Sequence, residues 1–260
     1  MALFPRKWIN QTLRNRAAAD WARIRRNFAA ISPGRLRDLR ADATRLRKDL
    51  DQFLLVSERR VLASLAALDS LPLPPGTDWR WRPEVLNAPA ASALVAPANR
   101  SHLTEGTVIW HDCPEHALIV EQSRNTRATD LASFGLRVEA FGFEGSFLSL
   151  SIDLPAQVLD GLTRHHIIRL ETVIQTERAQ NIYARLNIGN GPNTEEMLRH
   201  LGDLRPGEAS VQIVEFDLAL TEMNEKRLDK IWLDLIFEKP AMSAATIREM
   251  IFSRHLRANL

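Results

Sequence analysis

The ten residues SFLSLSIDLP, 146–155, constrain the fold more tightly than any other stretch, because Leu148, Leu150, Ile152 and Leu154 alternate with Ser149, Ser151 and Asp153. Side chains of an extended strand point to opposite faces in turn, so this period of two makes one apolar face and one polar face. The same period runs through HHIIRLETVIQTE (165–177), IYARLNI (182–188), VQIVEFDLAL (211–220), KIWLDLIF (230–237) and TIREMIFSR (246–254). Shorter strand candidates are Val108 to His111, Ala117 to Glu121 and Leu136 to Phe141. About nine strands joined by short turns, with no helices of crossover length between them, predict an antiparallel jelly-roll-like β-sandwich over residues 101–260.

Residues 1–71 obey a different period. Ile9, Leu13, Ala17, Trp21, Ile24 and Phe28 fall on one face of a helix expected over about 4–30. Ser32 can cap, and Pro33 can open, a second helix over 33–69, in which Leu36, Leu39, Ala43, Leu46, Leu50 and Phe53 repeat at alternating threes and fours. That spacing is a coiled-coil seam of under three heptads, so the segment is expected to form a helical hairpin or a short coiled coil, an arm for assembly or anchoring. Four prolines in LPLPPGTDWRWRP, followed by NAPAASALVAPANR, predict an irregular Pro/Ala-rich linker over 72–100. The chain thus reads as mainly β with an α-helical N-terminal arm.

Charge separates the same two parts. Residues 1–71 hold 15 Lys and Arg against 7 Asp and Glu, whereas the remainder carries an acidic excess. With 260 residues, 45% of them hydrophobic, the chain can bury a substantial core. Its single cysteine, Cys113, permits no internal disulfide, and no run of about 18 apolar residues suits a membrane span. The expected compartment is cytoplasmic, with membrane contact confined to the periphery.

Several segments together carry a resemblance: Asp78 to Glu84 (DWRWRPE), Arg124 to Arg127 (RNTR), Phe134 to Arg137 (FGLR), Phe147 to Pro155 (FLSLSIDLP) and Met223 to Arg227 (MNEKR). In these the chain resembles a family of conserved alphaproteobacterial proteins of the Rhodobacter group, along nearly its whole length. The resemblance implies no activity. The strand succession from about 135 to 257 is loosely similar to jelly-roll carbohydrate-binding modules, an analogy of architecture that carries no residues across.

Each candidate for chemistry has a structural competitor. In LNIGNGPNTEEML (186–198), Gly189 and Gly191 suggest a phosphate loop, but Pro192 removes an amide and no lysine follows. A turn at Gly189 to Pro192, then a short helix capped by Asn193 or Thr194 that crosses between sheets, is the better reading. It leaves Asn187, Asn190 and Asn193 as a polar rim. Glu215 and Asp217 project from one strand face like the acids of a jelly-roll glycoside hydrolase, yet the third carboxylate that such a pattern needs is replaced by Ala219. His111, Cys113, Glu115 and His116 sit in a turn, and with no second ligand pair nearby no metal and no cofactor is expected.

What remains is aromatic and electrostatic. Trp232 shares a strand face with Asp234, and Trp79 and Trp81 alternate with Arg80 and Arg82, so these tryptophans are candidates for stacking on sugar rings or for wedging into the core. Arg14, Arg16, Arg23, Arg25 and Arg26 flank the first helix, where they can meet an anionic membrane surface, whereas the interspersed acids disfavour nucleic acid. The expected function is a non-catalytic binding or scaffold protein. Its sandwich takes a saccharide or protein partner, and its arm self-associates or binds a partner protein. A peripheral membrane scaffold and a glycoside hydrolase using Glu215 and Asp217 are the alternatives.

Overall fold

Wherever the period of two was legible the chain forms strands, and they pair into two stacked sheets. The computed structural model describes residues 5–65, 68, 71–90, 92–127 and 129–257, the side chains of 5–14 and 54–65 excepted. The chain divides into two compact units, residues 1–56 and 57–260.

In the first unit α1 (Pro5–Arg26) leads through a 3-10 turn (Phe28–Ala30) to α2 (Pro33–Leu65). The amide of Leu36 donates to the Ser32 carbonyl at 2.9 Å, so Ser32 and Pro33 occupy the capping and first helical positions that their types favour. The first helix ends short of the expected residue 30, where the backbone tightens into the 3-10 turn. Among the described side chains of this unit none is buried. Trp21, Ile24, Ile31, Leu36, Leu39 and Ala43 are half-buried, while Leu46, Leu50 and Phe53 are exposed.

The second unit contains β1 (Thr77–Trp81), α3 (Glu84–Asn87), β2 (Leu94–Val95), β3 (Ser101–Thr104), β4 (Thr107–His111), β5 (Leu118–Arg124) and β6 (Phe134–Ala140). It continues with β7 (Leu148–Asp153), β8 (His166–Thr176), β9 (Ile182–Asn190), β10 (Asn193–His200), β11 (Ala209–Asp217), β12 (Leu228–Phe237) and β13 (Ser243–Leu256). One sheet has the order β11-β8-β13-β6-β5-β2, with β1 also pairing β13; the other has the order β10-β9-β12-β7-β4-β3. All pairings are antiparallel. Between the sheets lie Leu148, Leu150, Ile152, Leu170, Ile174, Leu186, Phe216, Leu233, Leu235 and Phe252, each no more than 2% exposed. Each such side chain contributes roughly 1.5–3 kcal/mol through the area it removes from water.

Two expectations are corrected. The 72–100 stretch is not an irregular connection: β1 pairs with β13, α3 buries Val85 and Leu86, and β2 pairs with β5. Its prolines flank β1 instead of interrupting it, and Thr77, Trp79 and Trp81 alternate with the exposed Asp78 and Arg80 as a half-buried strand requires.

The segment from Asn193 is no helix and makes no crossover. Gly191 adopts φ +67°, Pro192 is fixed near φ −65°, and this two-residue turn returns the chain directly into pairing with β9, from Asn193 opposite Asn190 to His200 opposite Tyr183. Pairing along eight residues, with Met197 buried, overrides the helical preference of Glu195 and Glu196.

Candidate functional site

The outer face of the sheet β10-β9-β12-β7-β4-β3 is built from the positions that the core does not use. On β7 these are Ser149, Ser151 and Asp153; on β12, Lys230, Trp232, Asp234 and Ile236; on β9, Arg185 and Asn187; on β4, Val108 and Trp110. The register aligns them in rows. Arg185, Asp234, Ser151, Val108 and His102 are successive cross-strand neighbours, while Trp232 lies between Asn187 and Asp153 in the next row. Trp110 is opposite Ser149, one row beyond Ser151 on the other side.

Small serines on the central strand, with tryptophans on the strands either side of it, make a groove of about 540 Å³. Arg100, His102, Trp110, Phe147, Trp232 and Lys230 stand around a floor of Ser149, Ser151 and Asp234. By strand geometry the Cα atoms of Trp232 and Trp110, two strands and four residues apart, are about 16 Å from one another on a diagonal.

The floor is held from the neighbouring strand β9. Asp234 is 5% exposed, and its Oδ2 accepts from Arg185 (Nη2 at 2.9 Å) and from Asn187 Nδ2 at 2.9 Å. Arg185 also reaches Glu196 at 3.4 Å, which commits its charge to two carboxylates. Ser149 Oγ is buried and has no hydrogen-bond partner among the described residues. One end wall depends on Asp112, whose Oδ1 accepts from the amides of Ser146 at 2.7 Å and Phe147 at 3.1 Å and so fixes the start of the Phe147 segment. The Ser146 hydroxyl and these amides hold the Asp112 carboxyl below its usual range.

Both tryptophans carry a cation. Lys230 Nζ lies 4.0 Å from the Trp232 ring centroid and Arg100 Cζ lies 5.3 Å from that of Trp110. Lys230 two residues before Trp232 and Asp234 two residues after it share its side of β12, so the ring stands between an ammonium and a carboxylate.

Of the residues singled out from sequence, Trp232 and Asp234 line this groove. Asn187 supports Asp234 from the neighbouring strand and is 1% exposed, a positioning contact in place of the polar rim expected of it. Asn190 is also buried, at the end of β9, and Asn193 is exposed beyond the turn, so the three asparagines form no continuous edge. Trp79 and Trp81 are elsewhere: they pack on the core from β1, with the Trp81 ring 5.7 Å from that of Phe252.

Glu215 and Asp217 lie on β11, at the edge of the other sheet. Asp217 accepts from the Ala219 amide and pairs with Arg257 at 3.2 Å, while Glu215 is exposed and its register neighbour is Arg169. They have no part in the groove. His111 is buried, its Nε2 2.9 Å from the Pro97 carbonyl and its Nδ1 accepting from the Cys113 amide. Among the described residues no cluster of three or more His, Cys, Asp and Glu could hold a metal. Arg16, Arg23, Arg25 and Arg26 are exposed, Arg23 pairing with Asp20 at 2.8 Å; the side chain of Arg14 lies outside the described residues. No helix of the described residues is long and apolar enough to cross a membrane.

Sequence reasoning missed Trp110, Arg100, Lys230, Arg185, Asp153, Phe147 and His102 as groove residues. The face of Trp110 and Val108 had no clear local signal, since the opposite face of its strand carries Thr107, Ile109 and His111, and its meeting with Trp232 depends on β4 and β12 both pairing with β7.

A family model described as a family of unknown function (DUF6478) matches residues 1–260. No curated protein matches the chain. Among solved structures, the CBM22-1 xylan-binding domain from Paenibacillus barcinonensis is similar at 9% identity, with 66% of this chain and 99% of that one covered at a TM-score of 0.38. A family 11 carbohydrate-binding module from Clostridium thermocellum, in complex with a β-1,3-1,4-mixed-linked tetrasaccharide, matches at 11% identity, 62% and 96% coverage and a TM-score of 0.39. The CBM22-1 and GH10 modules of a Clostridium thermocellum endo-1,4-β-D-xylanase, complexed with xylohexaose, match at 9% identity and a TM-score of 0.36 over 58% of this chain. The match spans only 29% of that xylanase chain.

Proposed function

We propose that this chain, which belongs to the DUF6478 family along residues 1–260, is a binding protein whose sandwich holds a saccharide in the groove between Trp232 and Trp110. The observation that carries the reading is the pairing of two aromatic walls with a polar floor of Ser149, Ser151 and Asp234. A sugar ring offers a C–H face to an aromatic and hydroxyls to serine and carboxylate, so this groove matches both halves of its surface. The test is calorimetric titration of neutral and acidic oligosaccharides into the full chain. Trp232→Ala is expected to weaken binding at least about 10-fold, or about 1.4 kcal/mol. Failure of every saccharide to bind refutes the reading.

A second reading concerns α2. Its heptad stripe continues into Leu46, Leu50 and Phe53, exposed by 40%, 51% and 65%, with nothing buried in the unit among its described side chains. We infer that α2 pairs in parallel with a second copy. With Leu36, Ala43 and Leu50 at a and Leu39, Leu46 and Phe53 at d, a parallel pair places Asp42 against the partner's Arg47, with one like-charge contact of Arg35 against the partner's Arg40. An antiparallel pair in full overlap would place Arg40 against Arg47 and Asp42 against Asp49. Sedimentation equilibrium should give a dimer that Leu46→Asp converts to monomer. A monomeric wild type that instead sediments with anionic vesicles would make the arm a surface-binding helix.

A further inference from the structure

We infer that the ligand of the groove is an acidic oligosaccharide, with its anionic groups received by Lys230 and Arg100 at opposite ends. This rests on the saccharide reading above and sharpens its substrate class.

The cations of the groove differ in whether their charge is already used. Arg185 is committed to Asp234 and Glu196, at 2.9 and 3.4 Å. Lys230 and Arg100 are different: both are exposed, both line the groove, and among the described residues neither pairs with a carboxylate. Each rests on a tryptophan face instead. A cation over an exposed ring gains less than it would from a charge-assisted hydrogen bond to an anion in a partly desolvated groove. An incoming carboxylate or sulfate can therefore draw either cation off its ring, and that movement frees the same aromatic surface for a sugar.

Position adds the length of the ligand. Trp232 and Trp110 are about 16 Å apart along a diagonal by strand geometry, so a single sugar cannot touch both walls. An oligosaccharide lying across Ser151 can, and it brings two acidic units within reach of the two cations. Asp153 and Asp234 in the same groove discriminate against a polymer with a phosphate at every unit, since each adds a like charge near the path; they suit a chain in which hydroxyls separate the acids. This favours an acidic glycan over single-stranded nucleic acid, which cations and aromatics alone would also accept.

The experiment compares an oligogalacturonate with its fully methyl-esterified form, the same backbone without charge, alongside heparin-derived oligosaccharides and a single-stranded DNA oligonucleotide. Calorimetry and intrinsic tryptophan fluorescence on the full chain report binding. The expected result is that at least one acidic saccharide binds about 10-fold tighter than the neutral ester. Lys230→Gln and Arg100→Gln should each erase most of that difference and flatten its salt dependence, and Trp232→Ala should weaken both forms. If the ester binds as tightly as the acid, the acidic class is refuted while the saccharide reading stands. If no saccharide binds, or if DNA binds more tightly than any, both fall. Lys230 and Arg100 are exposed, so their variants are expected to keep the melting temperature of the parent, which separates lost recognition from lost fold.

Discussion

Arg82 and Glu249, 167 residues apart, are joined by two contacts of 2.7 Å, Nε to Oε1 and Nη2 to Oε2, with both side chains buried. Glu249 Oε1 also accepts from the Met250 amide at 2.9 Å, beside the irregularity in β13 at Ile247 to Glu249. This pair clamps the end of β1 to the long strand of the sheet. Removing one partner strands a charge in the interior, so Arg82→Ala or Glu249→Ala is expected to cost about 3–5 kcal/mol in urea unfolding. Replacing both, as Arg82→Met with Glu249→Leu, should recover most of the loss. If the single variants unfold at the same urea concentration as the parent, the clamp is not structural.

Asp78 and Arg254 make a second anchor for β1, with contacts of 2.9 Å to both carboxylate oxygens. The hydrogen bonds from Arg254 hold the Asp78 carboxyl below its ordinary value, against a smaller opposing effect of burial. The folded pKa is thus lower than the unfolded one, so this contribution is fully present above about pH 4 and is lost as pH falls through the folded value. Because Asp78 is half-exposed, Asp78→Asn is expected to cost only about 1 kcal/mol at pH 7. Urea curves at falling pH should show the gap between parent and variant closing below about pH 4. A gap of constant size would contradict the assignment.

The turn at Gly191 also shows where the sequence was legible and where it was not. Strands with strict alternation, β7, β8 and β9 above all, could be read because one face meets the core and the other does not. The strand after the turn could not, because NTEEMLRH has the composition of a capped helix and only its pairing with β9 makes it extended. Likewise β1 was hidden among prolines, and the groove was half visible. That Trp232 and Asp234 share a face follows from period two, but that Trp110, Arg100 and Lys230 join them follows from sheet order, which no local pattern encodes. Gly191 needs φ +67°, a region that costs other residues roughly 1–2 kcal/mol, so Gly191→Ala is expected to lower stability by about 1 kcal/mol in thermal unfolding. Gly189 is constrained differently: a Cβ there would collide with Asp229 Oδ1, so Gly189→Ala should displace that carboxylate.

Three tryptophans distinguish packing from recognition. Trp79 and Trp81 pack on the core, and Trp81 meets Phe252, so truncating either removes buried area and is expected to lower stability by about 2 kcal/mol without touching the groove. Trp232 stands on the outer face with Lys230 over its ring, and its truncation removes one cation contact and little core packing. Trp232→Ala is therefore expected to unfold within about 1 kcal/mol of the parent while losing saccharide binding, and Trp81→Ala to show the reverse pattern. Thermal unfolding and calorimetric titration on the same two variants decide this. Should Trp232→Ala unfold early, or should Trp81→Ala lose binding at temperatures where it remains folded, the division between the wedge under β1 and the groove over β7 would not hold.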